Sequence, residues 1–161
     1  MNWLPLPMIG LLALTGCAST PARSPPDESL LTFEGAGDAS GAVVLQDWLF
    51  AVGDDEDNFL RIYDGRVGGP PVAKVDVSAQ LGLVGKRRAP ELDIEAATGV
   101  GELALWLTSH GRNSSGKAAP ARLRLFATTR PSDASGLELV GHPYATLLED
   151  LIAHGGLRHS R

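Results

Sequence analysis

Short apolar runs separated by turn-forming residues dominate the chain from Leu30 onward. Residues 42–45, 48–52, 59–63, 72–77, 103–107, 123–128 and 137–140 are rich in Val, Ile, Leu, Phe or Trp, with clusters of Gly, Asp, Asn and Pro between them. That spacing predicts the strands of a mostly antiparallel all-β domain. One segment breaks the pattern. In residues 144–154, Leu147, Leu148, Leu151 and Ile152 fall at i, i+1, i+4 and i+5, which predicts a helix that Gly155-Gly156 can close.

The strand pattern repeats. "DASGAVVLQDWLFAVGDDEDN" runs from Asp38 to Asn58 and "DIEAATGVGELALWLTSHGRN" from Asp93 to Asn113, an offset of 55. Trp48 then aligns with Leu103, Phe50 with Leu105 and Val52 with Leu107. A third strand follows each Asn, Leu60–Tyr63 in the first copy and Leu123–Phe126 in the second, with eight extra residues before the later one. Each unit reads strand, turn, strand, polar loop, strand and one strand more, which is the grammar of a β-propeller blade. The fold class expected is all-β, about two propeller-like blades and one C-terminal helix. Two blades do not close a propeller, so the chain is expected to be a piece of a longer one or to assemble with others.

Composition narrows the function. The chain has 161 residues, 14 Lys+Arg against 19 Asp+Glu, and a net charge of −5, which argues against general nucleic-acid binding. No stretch is long and apolar enough to span a bilayer as a mature helix. The single cysteine, Cys17, follows an apolar run from Met8 to Leu14 in Leu14-Thr15-Gly16-Cys17. This resembles a bacterial lipoprotein signal, although the first residues carry no Lys or Arg. The resemblance implies a signal peptide over 1–16, cleavage before Cys17 and acylation of Cys17, with more than one acyl chain for stable anchoring. Ala18 after the Cys points to the outer membrane, facing the periplasm. Residues 17–29, rich in Pro and Ser, read as a tether, and the domain occupies 30–161.

The loop "GRNSSGKA", Gly111 to Ala118, lacks only the final Ser or Thr of a nucleotide-binding P-loop. A P-loop must open a helix. Alternation after Lys117 predicts a strand instead, so no phosphate cradle is expected.

At this point a family resemblance appears. The segments 38–42, 53–58, 91–96 and 108–127, the last carrying Ser109-His110-Gly111-Arg112-Asn113, Gly116-Lys117 and Pro120, resemble the signatures of the DUF3616 family of bacterial proteins of unknown function. The resemblance covers about 33–154 and departs at Gly53, Ala96, Thr108 and Ala121. It implies a propeller-like fold with further repeats and names no activity; a link to phytase-like esterases is fold analogy only.

Charge is split between the copies. Residues 38–64 hold seven acids and one base, and residues 110–130 hold five bases and no acid. Two readings follow. In one, Asp54, Asp55, Glu56 and Asp57, with Asp93 and Glu95, hold a hard cation such as Ca²⁺, while His110, Arg112 and Lys117 bind an anion. In the other, these side chains form a structural network that ties the blades together. His110 stands where the first copy has Asp55, so it is a candidate base as well. The expected function is a lipid-anchored binding module with an unidentified ligand or protein partner. The alternative is a Ca²⁺-assisted hydrolase of an anionic ester, phytase-like, with His110 and Arg112 as catalytic candidates.

Overall fold

The computed structural model describes residues 30–154 apart from Val84, Lys86 and Arg87. The expected signal peptide, Cys17, the expected tether to residue 29 and the Gly155-Gly156 closure lie outside the described residues. From Leu31 the chain forms one compact unit of two four-stranded antiparallel sheets and a short helix. The first sheet is β1 (Ala39–Gln46), β2 (Leu49–Asp54), β3 (Phe59–Asp64) and β4 (Ala73–Asp76), paired in chain order. The second repeats that order with β5 (Ile94–Val100), β6 (Leu103–Thr108), β7 (Leu125–Thr129) and β8 (Leu139–Tyr144). These are two propeller-like blades, as the repeated pattern predicts.

The equivalence between the copies needs a correction of register. Both first strands carry a bulge, at Ser40 and at Glu95, and β1 maps onto β5 at the offset of 55. The first hairpin, however, holds one residue more, a second irregularity at Leu45. Thus β2 maps onto β6 at 54, so Ala51 corresponds to Leu105 and Val52 to Trp106. Trp48, expected in the strand, lies in the turn and is exposed. Val52 pairs with Arg61 while Trp106 pairs with Phe126, so the third strands match at 65 and the second loop is eleven residues longer, not eight. A one-residue slip moves every side chain to the opposite face. Only the corrected register gives both blades the same front and back.

With that register the packing is front to back. The front of the first sheet presents Val43, Ala51, Leu60 and Ile62; the back of the second presents Ala104, Trp106 and Phe126, and all seven belong to one buried core. Close approach depends on two glycines. A Cβ on Gly41 would lie 2.9 Å from the Ala96 carbonyl carbon, and one on Gly53 would lie 2.6 Å from the Ile94 Cγ2. Trp106 Nε1 donates to Thr128 Oγ1 at 3.1 Å, which satisfies the only polar atom of that side chain in the core. The connector between blades fills the wedge with Val77, Leu81, Leu83 and Leu92. Asn58 pins it: Nδ2 donates to the Ser78 hydroxyl (2.9 Å) and the Pro90 carbonyl (2.8 Å), and Oδ1 accepts from the Leu92 amide (2.8 Å).

The back of the first sheet is strapped by the segment that precedes β1. Phe33 meets Phe50 edge-on and Tyr63 likewise, the Tyr63 hydroxyl donates to the Glu34 carbonyl, and Arg61 Nε donates to the Gly35 carbonyl at 2.5 Å. The outer edges are short or irregular. Pro70 and Pro71 precede the four-residue β4, and β8 contains Gly141, at φ 72°, and Pro143.

Two elements differ from expectation. β7 begins at Leu125, two residues later than the expected run, because the 3-10 turn over Pro120–Arg122 with its cap at Leu123 leads into it, and Phe126 joins the core. The helix α1 (Leu147–Ala153) is shorter than its pattern, since Tyr144 ends β8, and none of its residues is buried. No helix among the described residues is long and apolar enough to cross a membrane.

The two repeat asparagines give a direct test. Asn58→Ala leaves the Leu92 amide donor and the Ser78 and Pro90 acceptors unpaired and should lower the unfolding free energy in urea by at least about 2 kcal/mol. Asn113→Ala, in an exposed loop, should cost less than about 1 kcal/mol in the same measurement.

Candidate functional site

The starts of β1, β3, β5 and β7 and the ends of β2 and β6 share one end of the two sheets, and every loop candidate from the sequence lies there. The acidic loop 54–57 does not act as a unit. Asp54 is buried, and its Oδ2 accepts from the Gly37 and Asp38 amides at 2.8 and 3.3 Å while Oδ1 accepts from the Glu56 amide at 2.9 Å. Asp57 holds Arg61 through both oxygens, at 3.0 and 2.6 Å, and also accepts from the Phe59 amide. Arg61, itself buried, reaches Asp54 at 3.6 Å. Burial by itself would raise the Asp57 carboxyl, but the Arg61 bonds outweigh it and hold the group below its ordinary value. Asp54 and Asp57 therefore organise the loop, and Glu56 points to solvent.

Asp55 is different. It leaves the loop toward the second blade, where one oxygen each of Asp55, Asp93 and Glu95 lie within 4.8 Å of one another. The Asp55 Oδ1 is buried and has no hydrogen-bond partner. Burial, then the negative charges of Asp38, Asp93 and Asp54, push the Asp55 carboxyl above its ordinary value. The spacing suits a hard cation: with oxygens at about 2.3–2.6 Å, ligands on opposite sides of such an ion stand about 5 Å apart. The group includes one residue of the expected acidic loop and the two acids of the second copy named beside it. Asp93 is already engaged, since Arg122 Nη1 lies 2.5 Å from its Oδ2 and Arg122 Nη2 lies 2.7 Å from Glu91 Oε1. Three carboxylates and one guanidinium leave the site net negative.

His110 sits at the same end but is not in that group. Its backbone is left-handed, φ 53°, as is that of Asp93, φ 59°. These are unusual conformations for residues other than Gly and are often found at functional sites. His110 Nδ1 lies 2.9 Å from the Thr108 carbonyl. A carbonyl only accepts, so Nδ1 carries the proton. In the neutral ring Nε2 is then a bare lone pair, and it is buried without a partner. The Arg124 Nε is the third buried polar atom without a partner among the described residues.

Arg112 and Lys117 are not gathered around His110. Arg112 is exposed, and its Nη1 donates to the Gly116 carbonyl in its own loop at 3.1 Å. Asn113 closes that loop: its side-chain oxygen accepts from the Ser115 and Lys117 amides, and its carbonyl accepts from Gly116. The amides a P-loop would aim at phosphate are thus consumed, and only the 3-10 turn follows. Sequence reasoning missed Arg61 and Arg122 as organisers. Arg61 was visible only as the lone base of an acid-rich segment, and Arg122 only as one of five bases in an acid-free one.

No family model, curated protein or solved structure matches this chain.

The two aspartates should titrate in opposite senses. Asp55 has a raised folded pKa, so the folded state binds its proton more tightly than the unfolded chain. Its cost is fully present above the folded value and is relieved as pH falls through it toward 3.8. Asp55→Asn should therefore raise the melting temperature at pH 7 and flatten stability between those two values. Asp57 has a depressed folded pKa, so its contribution is present above 3.8 and lost as pH falls below it. Asp57→Asn should lower the melting temperature at pH 7 and weaken its fall in acid.

Proposed function

We propose that this chain is a lipid-anchored ligand-binding module of the DUF3616 type, and that its ligand is coordinated at the loop end where the two blades meet. The observation that carries this reading is the buried, unpartnered Asp55 Oδ1 beside Asp93 and Glu95. A buried acceptor without a donor is costly, and repulsion among the three acids adds to that cost. A divalent cation such as Ca²⁺ satisfies the acceptor and cancels the repulsion together. The lipoprotein-like box at Cys17 and the motif at 108–127 support the address and the family. An envelope-anchored module of this kind would present its loop end to a soluble ligand or protein partner.

A second reading is favoured by one observation, the bare Nε2 of His110. A neutral imidazole with its other nitrogen fixed by a carbonyl is suited to accept a proton, which is what hydrolysis of an anionic ester beside a cation requires.

Calcium titration of the full chain tests the first reading. At a Ca²⁺ concentration of about 100 times the dissociation constant the expected stabilisation is about 2.7 kcal/mol, or roughly 5–10 °C in melting temperature. Asp55→Asn should remove the shift. Equal melting curves with and without Ca²⁺ would sink the cation site. Turnover of para-nitrophenyl phosphate that disappears in His110→Gln, with Ca²⁺ binding retained, would favour the hydrolase over the binding module.

A further inference from the structure

Arg124 is held firmly in place, yet its charge is unmatched. Its amide donates to Thr108 Oγ1 at 2.9 Å, and its carbonyl accepts from the Thr108 amide and hydroxyl at 3.1 and 3.0 Å. Among the described residues no carboxylate pairs with the guanidinium, and the buried Nε has no hydrogen-bond partner. Arg124 stands two residues before Phe126, so strand alternation sends both to the same side, toward the connector that precedes β5. The first copy has Phe59 at the matching position, with Lys74 Nζ 3.9 Å from the ring centre. A guanidinium there belongs to the second copy and not to the blade plan. A buried cationic donor without a partner is costly, and an anion beside it relieves that cost.

The space beside Arg124 is an open cleft of about 640 Å³, large enough for a small molecule. All of its walls come from the connector and from the loop and turn between β6 and β7. Leu83, Ala89 and Pro90 line one side and Ala118 and Ala119 the other, so the walls are largely apolar. Of the other charges there, Arg122 is met by Glu91 at 2.7 Å and Asp93 at 2.5 Å, and Arg88 lies 3.7 Å from Glu91. Two bases and two acids cancel, which leaves Arg124 as the uncompensated charge. We propose that this cleft binds an organic carboxylate with a compact apolar body, its carboxylate paired with the Arg124 guanidinium. The planar fork of Arg matches the two carboxylate oxygens. One spare positive charge suits a monoanion, and the apolar walls suit a body with few polar groups. The site uses none of Asp55, Glu95 and His110, so it stands apart from the cation reading.

Isothermal titration of the full chain in calcium-free detergent buffer with benzoate, benzamide and phenyl phosphate tests the site. Benzamide has the shape of benzoate without its charge. Benzoate should bind at least about tenfold more tightly than benzamide, the effect of one charge-assisted bond, and phenyl phosphate no more tightly than benzoate. Arg124→Met keeps an apolar stem and removes the charge. It should weaken benzoate at least about tenfold and leave benzamide unchanged. Its melting temperature should equal or exceed that of the wild type, because an unpaired buried charge has gone. Arg124→Lys keeps the charge without the fork and should bind benzoate with an affinity between the two. Benzoate that fails to bind, or binds no better than benzamide, overturns the proposal. Tighter binding of phenyl phosphate overturns it as well, since the cleft would then serve phosphate groups. An Arg124→Met chain that fails to fold, or melts well below the wild type, also overturns it, because Arg124 would then be a structural cation.

Discussion

A buried guanidinium sets the rest of the site. Arg61 is fixed by both oxygens of Asp57, by the Gly35 carbonyl and by the nearby Asp54, and it lies on the back of the first sheet with almost no solvent contact. A charge buried in this way is tolerable only when every partner is in place, and removing one partner costs about 3–5 kcal/mol. The constraint reaches outward from there. It holds the strap against the sheet, it commits two of the four loop acids to structure, and it leaves Asp55 as the acid that crosses to the second blade. The second blade has Phe126 at the matching position, so it has no such hub. Its loop is held instead by Arg122, which spans Glu91 and Asp93 at the junction.

Much of the architecture was legible in the sequence, because a half-buried strand must alternate and a turn must carry Gly, Asp, Asn or Pro. The repeat was visible in the spacing of Asp38, Asn58, Asp93 and Asn113. What spacing could not show was register. A single extra residue at Leu45 is silent in a pattern of apolar runs, yet it moves Trp48 into a turn and exchanges the faces of β2 relative to β6. The beginning of β7 was hidden for a similar reason: Arg122-Leu123-Arg124 alternates like a strand, but Pro120 at the start of the turn removes a donor and bends the backbone.

The site was legible in part. The acidic loop and the second-copy acids were named for a cation, and Asp55, Asp93 and Glu95 do converge. Asp54 and Asp57 fell out because backbone amides and Arg61 claim their oxygens, and such claims depend on three-dimensional neighbours, not on residue type. Repeated residues also diverged in role. Asn58 braces the connector between blades, whereas Asn113 folds an exposed loop on itself. One letter at one repeat position thus serves two purposes, set by the neighbours that each copy's loop meets.

The outer strands have a consequence of their own. An unpaired strand edge is a template for adding foreign strands, the first step toward fibrils. β4 is four residues long and follows two prolines, and β8 is broken by a left-handed Gly141 and by Pro143, which has no amide hydrogen to offer. Both edges are poor templates. Two such domains held close together therefore offer each other no ready edge for amyloid-like zippering at β4 or β8.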